Sequence, residues 1–220
     1  MRKKHLKGLT TIENALKKSM LIPSGAEEAF LKIRELIQLL PEEQKSLVKL
    51  DLPAPKEIAH DPSAIALYSD GGCRGNPGPG AWAYVIQNHS GKIIGEGADF
   101  HELTTNNKME LSAPLEGLTN LINLLKEENR DSLLTKVKVV TDSKYVVDGM
   151  KSWVPGWKAR GWKKADNKPP ENLELWQKLD EVRTRYLQIE WEWVKGHSGH
   201  PQNEYCDLLA NGLMDENINN

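Results

Sequence analysis

The amino-acid sequence predicts an α/β fold in which helices flank a mixed β-sheet, preceded by a small α-helical module. Five short apolar or alternating segments follow residue 64, and such segments are typical of β-strands. Segments with helical spacing of apolar residues follow the third, fourth and fifth of these strands. The order of elements is therefore β-β-β-α-β-α-α-β-α. The first 50 residues show only helical spacing, and three prolines between residues 51 and 62 indicate a linker. We therefore expect a helical extension over 1–50, a linker over 51–62 and a main domain over 63–220.

The N-terminal extension is predicted to form three short helices. Apolar residues at helical spacing form the first, and Ser24 with Glu27 is a capping box for the second. Pro41 suits the first turn of a third helix over 42–50. Residues 1–60 contain 11 Lys and Arg against 8 Asp and Glu, so this part of the chain is basic. Two roles stay open: the module binds nucleic acid or a protein partner, or it packs on the main domain and stabilises it.

The main domain is predicted to begin with three strands. The first, 65–69, runs into a glycine-rich turn over 70–80, and the next two form a hairpin from 81–87 and 92–98. A long helix follows over 107–128. The remaining elements, in chain order, are a buried strand at 137–140, a helix that Ser143 caps, a helix at 173–186, a strand at 189–194 and a last helix at 202–214.

The composition excludes several classes of protein. No apolar run approaches the roughly 18–20 residues that a membrane-spanning helix needs. The basic N-terminus is not followed by an apolar segment, so it is a poor secretory signal. The two cysteines, Cys73 and Cys206, are too few for a disulfide framework, and we expect both to be inert buried thiols. We therefore expect a cytoplasmic protein with no membrane association.

Four acidic residues occupy positions that are costly for a fold unless they are used. They are Asp70 and Asp142 at the ends of apolar strands, Glu110 at the start of an amphipathic helix and Asp207 on the last helix. Each alone has a structural explanation, as a turn cap or as a partner of the helix dipole. Together they indicate one site, because strand ends and helix starts meet at one edge of an α/β sheet.

A cluster of carboxylates predicts a metal site. The carboxylates repel one another unless a cation lies between them, and oxygen ligands select hard cations such as Mg²⁺. Two such ions would activate a water and stabilise the leaving oxygen in an in-line phosphoryl displacement. Zinc is not expected, because neither cysteine has a second ligand close by in sequence.

His197 is a candidate for proton transfer. It lies in a glycine-containing loop ten residues before Asp207, where it can exchange protons at neutral pH. The alternative is an ordinary surface histidine, which we expect for His200. The glycine-rich turn over 70–80 is weak evidence for a nucleotide cofactor, because it lacks the Lys-Ser/Thr of a P-loop and leads into a strand.

Residues 151–168, the basic Trp stretch, are a candidate nucleic-acid surface. They contain six basic residues and one acidic residue, interleaved with Trp153, Trp157 and Trp162. Basic side chains bind a phosphate backbone and aromatic rings stack on bases or sugars. The alternative is an amphipathic helix with its Trp side chains in the core, and we expect both roles among different Trp residues.

With these residues identified, the chain closely resembles the type 1 ribonucleases H, and the bacterial enzymes above all. The resemblance covers residues 65–214. The motifs that carry it are SDGGCRGNPGPG at 69–80, TTNNKMEL at 104–111, TDSKYV at 141–146, WEWVKGHSGHP at 191–201 and NEYCDL at 203–208. The resemblance implies an RNase H-like fold, a five-stranded mixed sheet whose first three strands are antiparallel.

The resemblance also implies an activity and its residues. Members of this family cleave the RNA strand of RNA–DNA hybrids and leave 3′-hydroxyl and 5′-phosphate ends, with two Mg²⁺ ions or with Mn²⁺. By motif position the metal-binding carboxylates are Asp70, Glu110, Asp142 and Asp207, and His197 assists proton transfer or product release. The nucleic-acid-binding residues are Asn76, Thr105, Asn106 and Asn107, together with Trp153, Trp157, Lys158, Arg160, Trp162, Lys163 and Lys164 of the basic Trp stretch. We also expect a monomer, although the sequence itself does not give the oligomeric state.

Some features depart from the family or leave alternatives. Pro114 falls within the helix of Glu110 and is expected to kink it if it lies beyond the first turn. Lys144 stands where many relatives carry Gln, and residues 1–60 match no module of the family. The alternatives are an inactive binding module on this fold, an integrase-like enzyme and a dinucleotide-binding domain. The intact set of acidic residues argues against the first, the hybrid-reading block 104–108 and the basic Trp stretch argue against the second, and the glycine-rich turn argues against the third.

Overall fold

The computed structural model describes residues 2–18, 25–39 and 51–218. The chain divides into two compact units, Met1–Asp51 and Leu52–Asn220, and each is described by itself. Among the described helices, none combines the length and the apolar content that a membrane crossing requires.

The N-terminal unit contains two helices, α1 (Arg2–Lys18) and α2 (Ala26–Leu39). An ion pair between Arg34 and Glu13, 2.5 Å from Nη2 to Oε2, joins them. These are two of the three helices that the apolar spacing predicts. The third predicted helix, 42–50, and Ser24 of the capping box lie outside the described residues.

The second unit is built on the predicted five-stranded mixed sheet. Its strands are β1 (Ile65–Cys73), β2 (Gly78–Asn88), β3 (Ile93–Thr104), β4 (Lys136–Thr141) and β5 (Gln188–Trp193). The spatial order is β3-β2-β1-β4-β5. The first three strands are antiparallel neighbours, whereas β4 pairs parallel with both β1 and β5. The predicted topology is therefore confirmed.

Helices cover both faces of this sheet. They are α3 (Asn106–Glu127), α4 (Lys144–Asp148), α5 (Val154–Ala159), α6 (Leu173–Arg183) and α7 (Pro201–Ile218), with a π-helical turn at Gly149–Trp153 between α4 and α5. Ser143 caps α4 as predicted, since its Oγ accepts a hydrogen bond from Val146 N at 3.2 Å. Pro114 lies inside α3, beyond its first turn, and the helix continues through it; the kink expected there stays a prediction.

Alternating side chains of the central strand, β1, are buried in two separate cores on opposite faces of the sheet. Ile65 and Leu67 point toward the core that α3, α4 and α6 cover. Ala66 and Tyr68 point to the opposite face, where α7 packs. This period of two places the carboxylate-bearing end of β1 between both helical layers.

The glycine-rich segment is more regular than the sequence predicts. Of the predicted turn over 70–80, residues 70–73 extend β1 and residues 78–80 begin β2, which leaves 74–77 as the turn. The strands continue because glycine permits close backbone approach. A Cβ at Gly71 would lie 2.8 Å from the backbone N of Glu110 and nearer still to the backbone of Met109. The end of β1 therefore packs directly on the start of α3.

Residues 52–58, which we call the pre-strand segment, belong to the second unit. Ile58 is buried in the core under α7, and Pro53 O accepts a hydrogen bond from Gln202 Nε2 at 2.8 Å. The sequence predicts a linker here because prolines are frequent. In the structure Pro55 and Ile58 are buried and Leu52 is half-buried, so this segment packs on the second unit through these side chains.

Candidate active site

One cavity of about 360 Å³ gathers the predicted acidic residues. It lies where β1 and β4 end and α3 begins, and α7 closes one side. Its lining includes Asp70, Glu110, Asp142, His197 and Asp207. The sheet edge thus brings together the five residues that the sequence places apart.

Asp70 and Asp142 are neighbours because their strands are parallel. Ser69 of β1 lies opposite Thr141 of β4 in the parallel register, and each aspartate is the next residue of its chain segment. Asp70 Oδ1 accepts a hydrogen bond from Gly71 N at 2.7 Å. The main-chain carbonyl of Asp142 accepts one from Trp193 Nε1 at 2.8 Å, which connects this residue to the end of β5.

Glu110 enters the cavity from the first turns of α3, and two hydrogen bonds hold its carboxylate. Asn106, one turn earlier, donates from Nδ2 to Oε1 at 2.6 Å. Ser143 donates from Oγ to Oε2 at 2.6 Å. Both carboxylate oxygens of Glu110 are therefore oriented by residues that lie on different elements.

Asp207 and His197 complete the cavity from the C-terminal side. Asn211, one turn later on α7, donates from Nδ2 to Asp207 Oδ1 at 2.7 Å. His197 lies in the loop 194–200, which we call the His197 loop, and its Nδ1 is 3.8 Å from Asp207 Oδ2. The His197 side chain is 78% exposed and its φ is +49°. An imidazole that is so exposed and yet adjacent to a carboxylate can exchange protons with solvent.

Glycine allows the His197 loop to pass close to the carboxylates. A Cβ at Gly196 would overlap Asp142 Oδ2. Any other residue at this position would displace either the Asp142 carboxylate or the loop. The main chain next to His197 therefore lies directly against one of the acidic residues.

The electrostatics of the cavity favour a cation. Burial, repulsion from Asp142 and weaker repulsion from Asp207 and Glu110 raise the pKa of Asp70 to about 7, although the Gly71 N–H lowers it. Burial also raises the pKa of Glu110 and of Asp142. Carboxyl groups with raised pKa values are destabilised in their ionised form, and a bound cation removes that destabilisation.

The donor set suits a hard cation that the protein holds loosely. All four acidic side chains offer oxygen, which is the ligand type of Mg²⁺ and Mn²⁺. Within the described residues, no three His, Cys, Asp or Glu side chains are arranged to enclose a single ion. Mg²⁺ is usually held by one or two carboxylates together with substrate phosphate, so an open arrangement of carboxylates fits this ion.

The predicted substrate-contacting residues near the acidic cavity surround the start of α3. Asn76 Oδ1 accepts a hydrogen bond from Asn106 N at 3.3 Å, so the turn between β1 and β2 is joined to α3. Thr105 precedes the helix in extended conformation, and Asn107 is half-buried. Asn76 is thus joined to Asn106, and Asn106 in turn contacts Glu110.

The basic Trp stretch divides between core and surface. Trp157 is buried and Trp162 packs against the same core, whereas Trp153 is 37% exposed. Trp153, Trp157, Arg160 and Lys164 line a groove of about 460 Å³. Lys163 is exposed.

Lys158 already has an acidic partner within the chain. Its Nζ lies 2.6 Å from Oδ2 of Asp180, whose side chain is buried. A lysine that is paired in this way contributes less charge to a phosphate-binding surface than the exposed basic residues do.

Several residues of the site were not predicted. The sequence indicates Ser143 only as a helix cap, and it does not indicate that Trp193 or Asn211 belongs to the site. His200, expected on the surface, is buried and its Nε2 lies 2.9 Å from Glu57 Oε1. No local sequence pattern predicts this contact, because Glu57 and His200 are 143 positions apart in the chain. Asn211 could have been found, since it lies one helical turn after Asp207.

The cysteines differ in their surroundings. Cys206 is buried, as predicted, and burial raises the pKa of its thiol. Cys73 is half-buried and lines the acidic cavity, so the expectation of a buried thiol is wrong for this residue.

The family model and similar curated proteins identify the same family. The family model described as RNase H matches residues 62–214. The Ribonuclease H of Cupriavidus metallidurans is 47% identical over 149 residues, which are 67% of this chain and 92% of that protein. The Ribonuclease H of Tolumonas auensis is 48% identical over 147 residues, which are 66% of this chain and 86% of that protein.

Solved structures agree with the sequence comparison. LC9-RNase H1, a type 1 RNase H, is similar with a TM-score of 0.58 and 32% identity, over 76% of this chain and 75% of that one. LC11-RNase H1 in complex with an RNA/DNA hybrid has a TM-score of 0.54 and 26% identity, over 70% of this chain and 98% of that one. The pre-strand segment precedes the region that the family model matches.

Proposed function

This chain belongs to the ribonuclease H family, the endoribonucleases that cleave the RNA strand of RNA–DNA hybrids, and we propose that Asp70, Glu110, Asp142 and Asp207 carry that reaction. The products are RNA fragments with 3′-hydroxyl and 5′-phosphate ends. The observation that supports the proposal most is the presence of these four carboxylates in one cavity, where burial raises the pKa of three of them.

Enzymes of this family depend on metal ions, and the four carboxylates would hold two Mg²⁺ ions, or Mn²⁺ in their place. When bound, these ions supply positive charge that favours formation of the nucleophile from water and stabilises charge on the phosphate oxygens.

The polar neighbours of the carboxylates keep them in place for this purpose. Asn106 and Ser143 orient the two oxygens of Glu110, and Asn211 orients Asp207. Groups held by such hydrogen bonds do not have to reorganise when the substrate arrives, and this lowers the free energy of the transition state. Without a cation, burial and mutual repulsion destabilise the ionised carboxylates, and this raises the pKa of Asp70.

His197 is proposed to transfer protons at the leaving oxygen or to assist product release. Its side chain is exposed and lies 3.8 Å from Asp207. A protonated imidazole in this position can donate its proton to the leaving oxygen and take another from solvent.

Two surfaces are proposed to bind the hybrid. Asn76, Thr105, Asn106 and Asn107 would contact the duplex beside the acidic cavity, where a 2′-hydroxyl distinguishes RNA from DNA. The groove of Trp153, Trp157, Arg160 and Lys164 would contact the DNA strand, through charge and through the exposed ring of Trp153. Lys158, Trp162 and Lys163 would support this second surface.

The N-terminal unit is proposed to add affinity for nucleic acid, with a protein partner as the alternative. Its first helix, RKKHLKGLTTIENALKK, carries six Lys and Arg against one Glu. A segment of this charge attracts the phosphate groups of a nucleic acid whatever its nucleotide sequence.

We further propose that the enzyme acts as a monomer. The cytoplasmic location stays a prediction.

The metal-ligand assignment is tested by Asp70→Asn, which keeps the shape of the side chain and removes its charge. We expect loss of hybrid cleavage, with the fold and hybrid binding retained. Asp131→Asn is the matched control, since Asp131 lies at the opposite end of β4 and an amide can replace it as a cap for Leu133 N. Cleavage by Asp70→Asn near the wild-type rate would contradict the assignment.

A further inference from the structure

A buried pair of ionisable side chains lies outside the proposed active site. Glu57 of the pre-strand segment and His200 at the end of the His197 loop are separated by 2.9 Å, from Oε1 to Nε2. Their side chains are 2% and 6% exposed. Glu57 precedes the region that the family model matches and His200 lies within it, so this pair joins the pre-strand segment to the matched region.

The carboxylate of Glu57 is satisfied on both oxygens. Oε1 faces His200, and Oε2 accepts a hydrogen bond from the Tyr68 hydroxyl at 2.6 Å. Burial raises the pKa of Glu57, but the hydrogen bonds from His200 and Tyr68 outweigh burial and hold the pKa at about 2. Glu57 is therefore an ionised acceptor at neutral pH.

His200 transmits this contact to the start of α7. The amide of Asn203 donates to His200 Nδ1 at 3.4 Å, so the imidazole proton is on Nε2 and points at Glu57. The carbonyl of His200 accepts a hydrogen bond from Glu204 N at 3.0 Å, and Glu204 Oε1 accepts one from Gly199 N at 2.7 Å. The last residues of the His197 loop and the first turn of α7 are thus one hydrogen-bonded unit.

This unit carries three groups toward the acidic cavity. His197 lies three residues before His200 in the loop. Asp207 lies about two helical turns after it on α7. Asn203 lies beside Asp142 and lowers its pKa, although its Nδ2 makes no hydrogen bond of ordinary geometry among the described residues.

Stability alone is a weak explanation for the pair. Removing two ionisable groups from water costs free energy, and well-packed apolar residues often stabilise a core as much or more. A hydrogen-bonded pair, unlike an apolar pair, fixes the relative orientation and distance of its two side chains. Here it fixes the position of His200, which lies at the junction between the His197 loop and α7.

We propose that Glu57 is a positioning residue of the active site, which acts through His200 to fix the His197 loop and the first turn of α7. The inference rests on the proposed roles of His197 and Asp207. A shift of His197 or Asp207 by even 1 Å would lower kcat. Substrate binding would persist, because hybrid affinity comes mainly from other surfaces.

The experiment compares Glu57→Ala with Glu57→Gln in the full-length chain. Glu57→Ala is expected to lower kcat on an RNA–DNA hybrid on the order of 10-fold while KM changes little. Glu57→Gln is expected to restore most of this loss, because its Oε1 accepts from His200 and its Nε2 donates to the Tyr68 hydroxyl. Leu125→Ala is the matched control, since it removes a buried side chain near the far end of α3.

A second readout does not depend on catalysis. Hydrogen exchange of the backbone amides in 196–204 is expected to accelerate in Glu57→Ala, and to stay at the wild-type rate in Leu125→Ala. Assays are made at a temperature where thermal unfolding curves show each variant to be folded. If Glu57→Ala does not fold, Glu57→Asp takes its place, because it keeps the charge but shortens the reach to His200.

The outcomes separate the two proposals. Wild-type kcat together with wild-type exchange in the folded Glu57 variant would overturn the positioning role. An equal loss of kcat in Leu125→Ala would also overturn it, since the effect would then follow stability. A wild-type chain that does not cleave the hybrid would instead overturn the proposed function, and the exchange rates would still decide whether Glu57 holds the loop.

Discussion

Ser143 Oγ donates a hydrogen bond to Glu110 Oε2 at 2.6 Å and accepts one from Val146 N at 3.2 Å. One hydroxyl thus caps α4 and orients a carboxylate that α3 supplies. The relationship joins the two helices at the acidic cavity, and it predicts that fold and activity both respond to this side chain.

Ser143→Ala is expected to destabilise the protein by about 1 kcal/mol, through the lost cap. It is expected to lower kcat on the order of 10-fold, because Glu110 loses one of the two groups that orient it. Urea denaturation and steady-state cleavage of a hybrid measure the two effects. Ser143→Thr keeps the hydroxyl and is the control; if it loses as much activity as the alanine variant, the hydrogen bond does not explain the loss.

Stability without metal is expected to fall as pH rises from 5 to 8. The pKa values of Asp70, Glu110 and Asp142 are raised in the folded state, so the folded protein binds more protons than the unfolded chain above about pH 4. Their contribution is most favourable below the unfolded pKa values and is lost as pH rises through the folded ones. Glu57 has a lowered pKa, so its contribution is lost only as pH falls below about 4.5.

Thermal unfolding in a chelating buffer checks this pH dependence. Mg²⁺ is expected to raise Tm more at pH 8 than at pH 5, because the ionised carboxylates bind it. Asp70→Asn is expected to raise the Tm of the metal-free protein at pH 8 and to flatten the dependence. A wild-type Tm that is constant from pH 5 to 8 would show that the carboxylates do not repel one another as inferred.

His197→Ala is expected to lower kcat by about 10²-fold and to leave KM nearly unchanged, as for loss of a proton-transfer group. Its side chain is so exposed that stability should change by less than about 0.5 kcal/mol. The control is His101→Ala, an exposed histidine on β3. Equal activity of both variants in a hybrid cleavage assay would remove His197 from the proposed mechanism.

The groove of the basic Trp stretch is tested by the salt dependence of binding. Arg160→Ala should reduce the slope of log affinity against log salt by about 1, the value for one lost phosphate contact. Trp153→Ala should weaken binding with little change of slope, because stacking is not ionic. Lys126→Ala, at the far end of α3, is the control. If Arg160→Ala and Lys126→Ala give the same slope, the hybrid does not contact this groove.

The N-terminal unit is tested by the same measurement on a chain that begins at Asp51, which keeps the pre-strand segment. We expect this chain to cleave hybrids and to show a smaller salt slope than the full chain, because phosphate contacts are lost. Equal slopes and equal affinities would leave a protein partner or a stabilising role for this unit.

Much of the fold and of the acidic cavity is predictable because its signals are local. Asp70 and Asp142 are conspicuous where they follow apolar strands, and parallel pairing of those strands makes them neighbours. The helix of Glu110 has regular apolar spacing that even Pro114 does not interrupt. Local pattern and tertiary structure therefore agree at these positions.

What the sequence does not reveal depends on contacts between distant segments. His200 is buried against Glu57, and nothing near either residue in the sequence indicates the other. The extension of β1 through Gly71 depends on the backbone of α3, which a glycine count cannot show. In each case the deciding partner lies on another element of the fold.

Cleavage of one labelled RNA by the wild-type chain in Mg²⁺, with the RNA paired either with DNA or with RNA, tests the proposed activity most directly. We predict cleavage of the RNA–DNA hybrid alone, into products with 3′-hydroxyl and 5′-phosphate ends, and no cleavage when a chelator removes the metal. Equal cleavage of both duplexes, or cleavage that persists in the chelator, would contradict it.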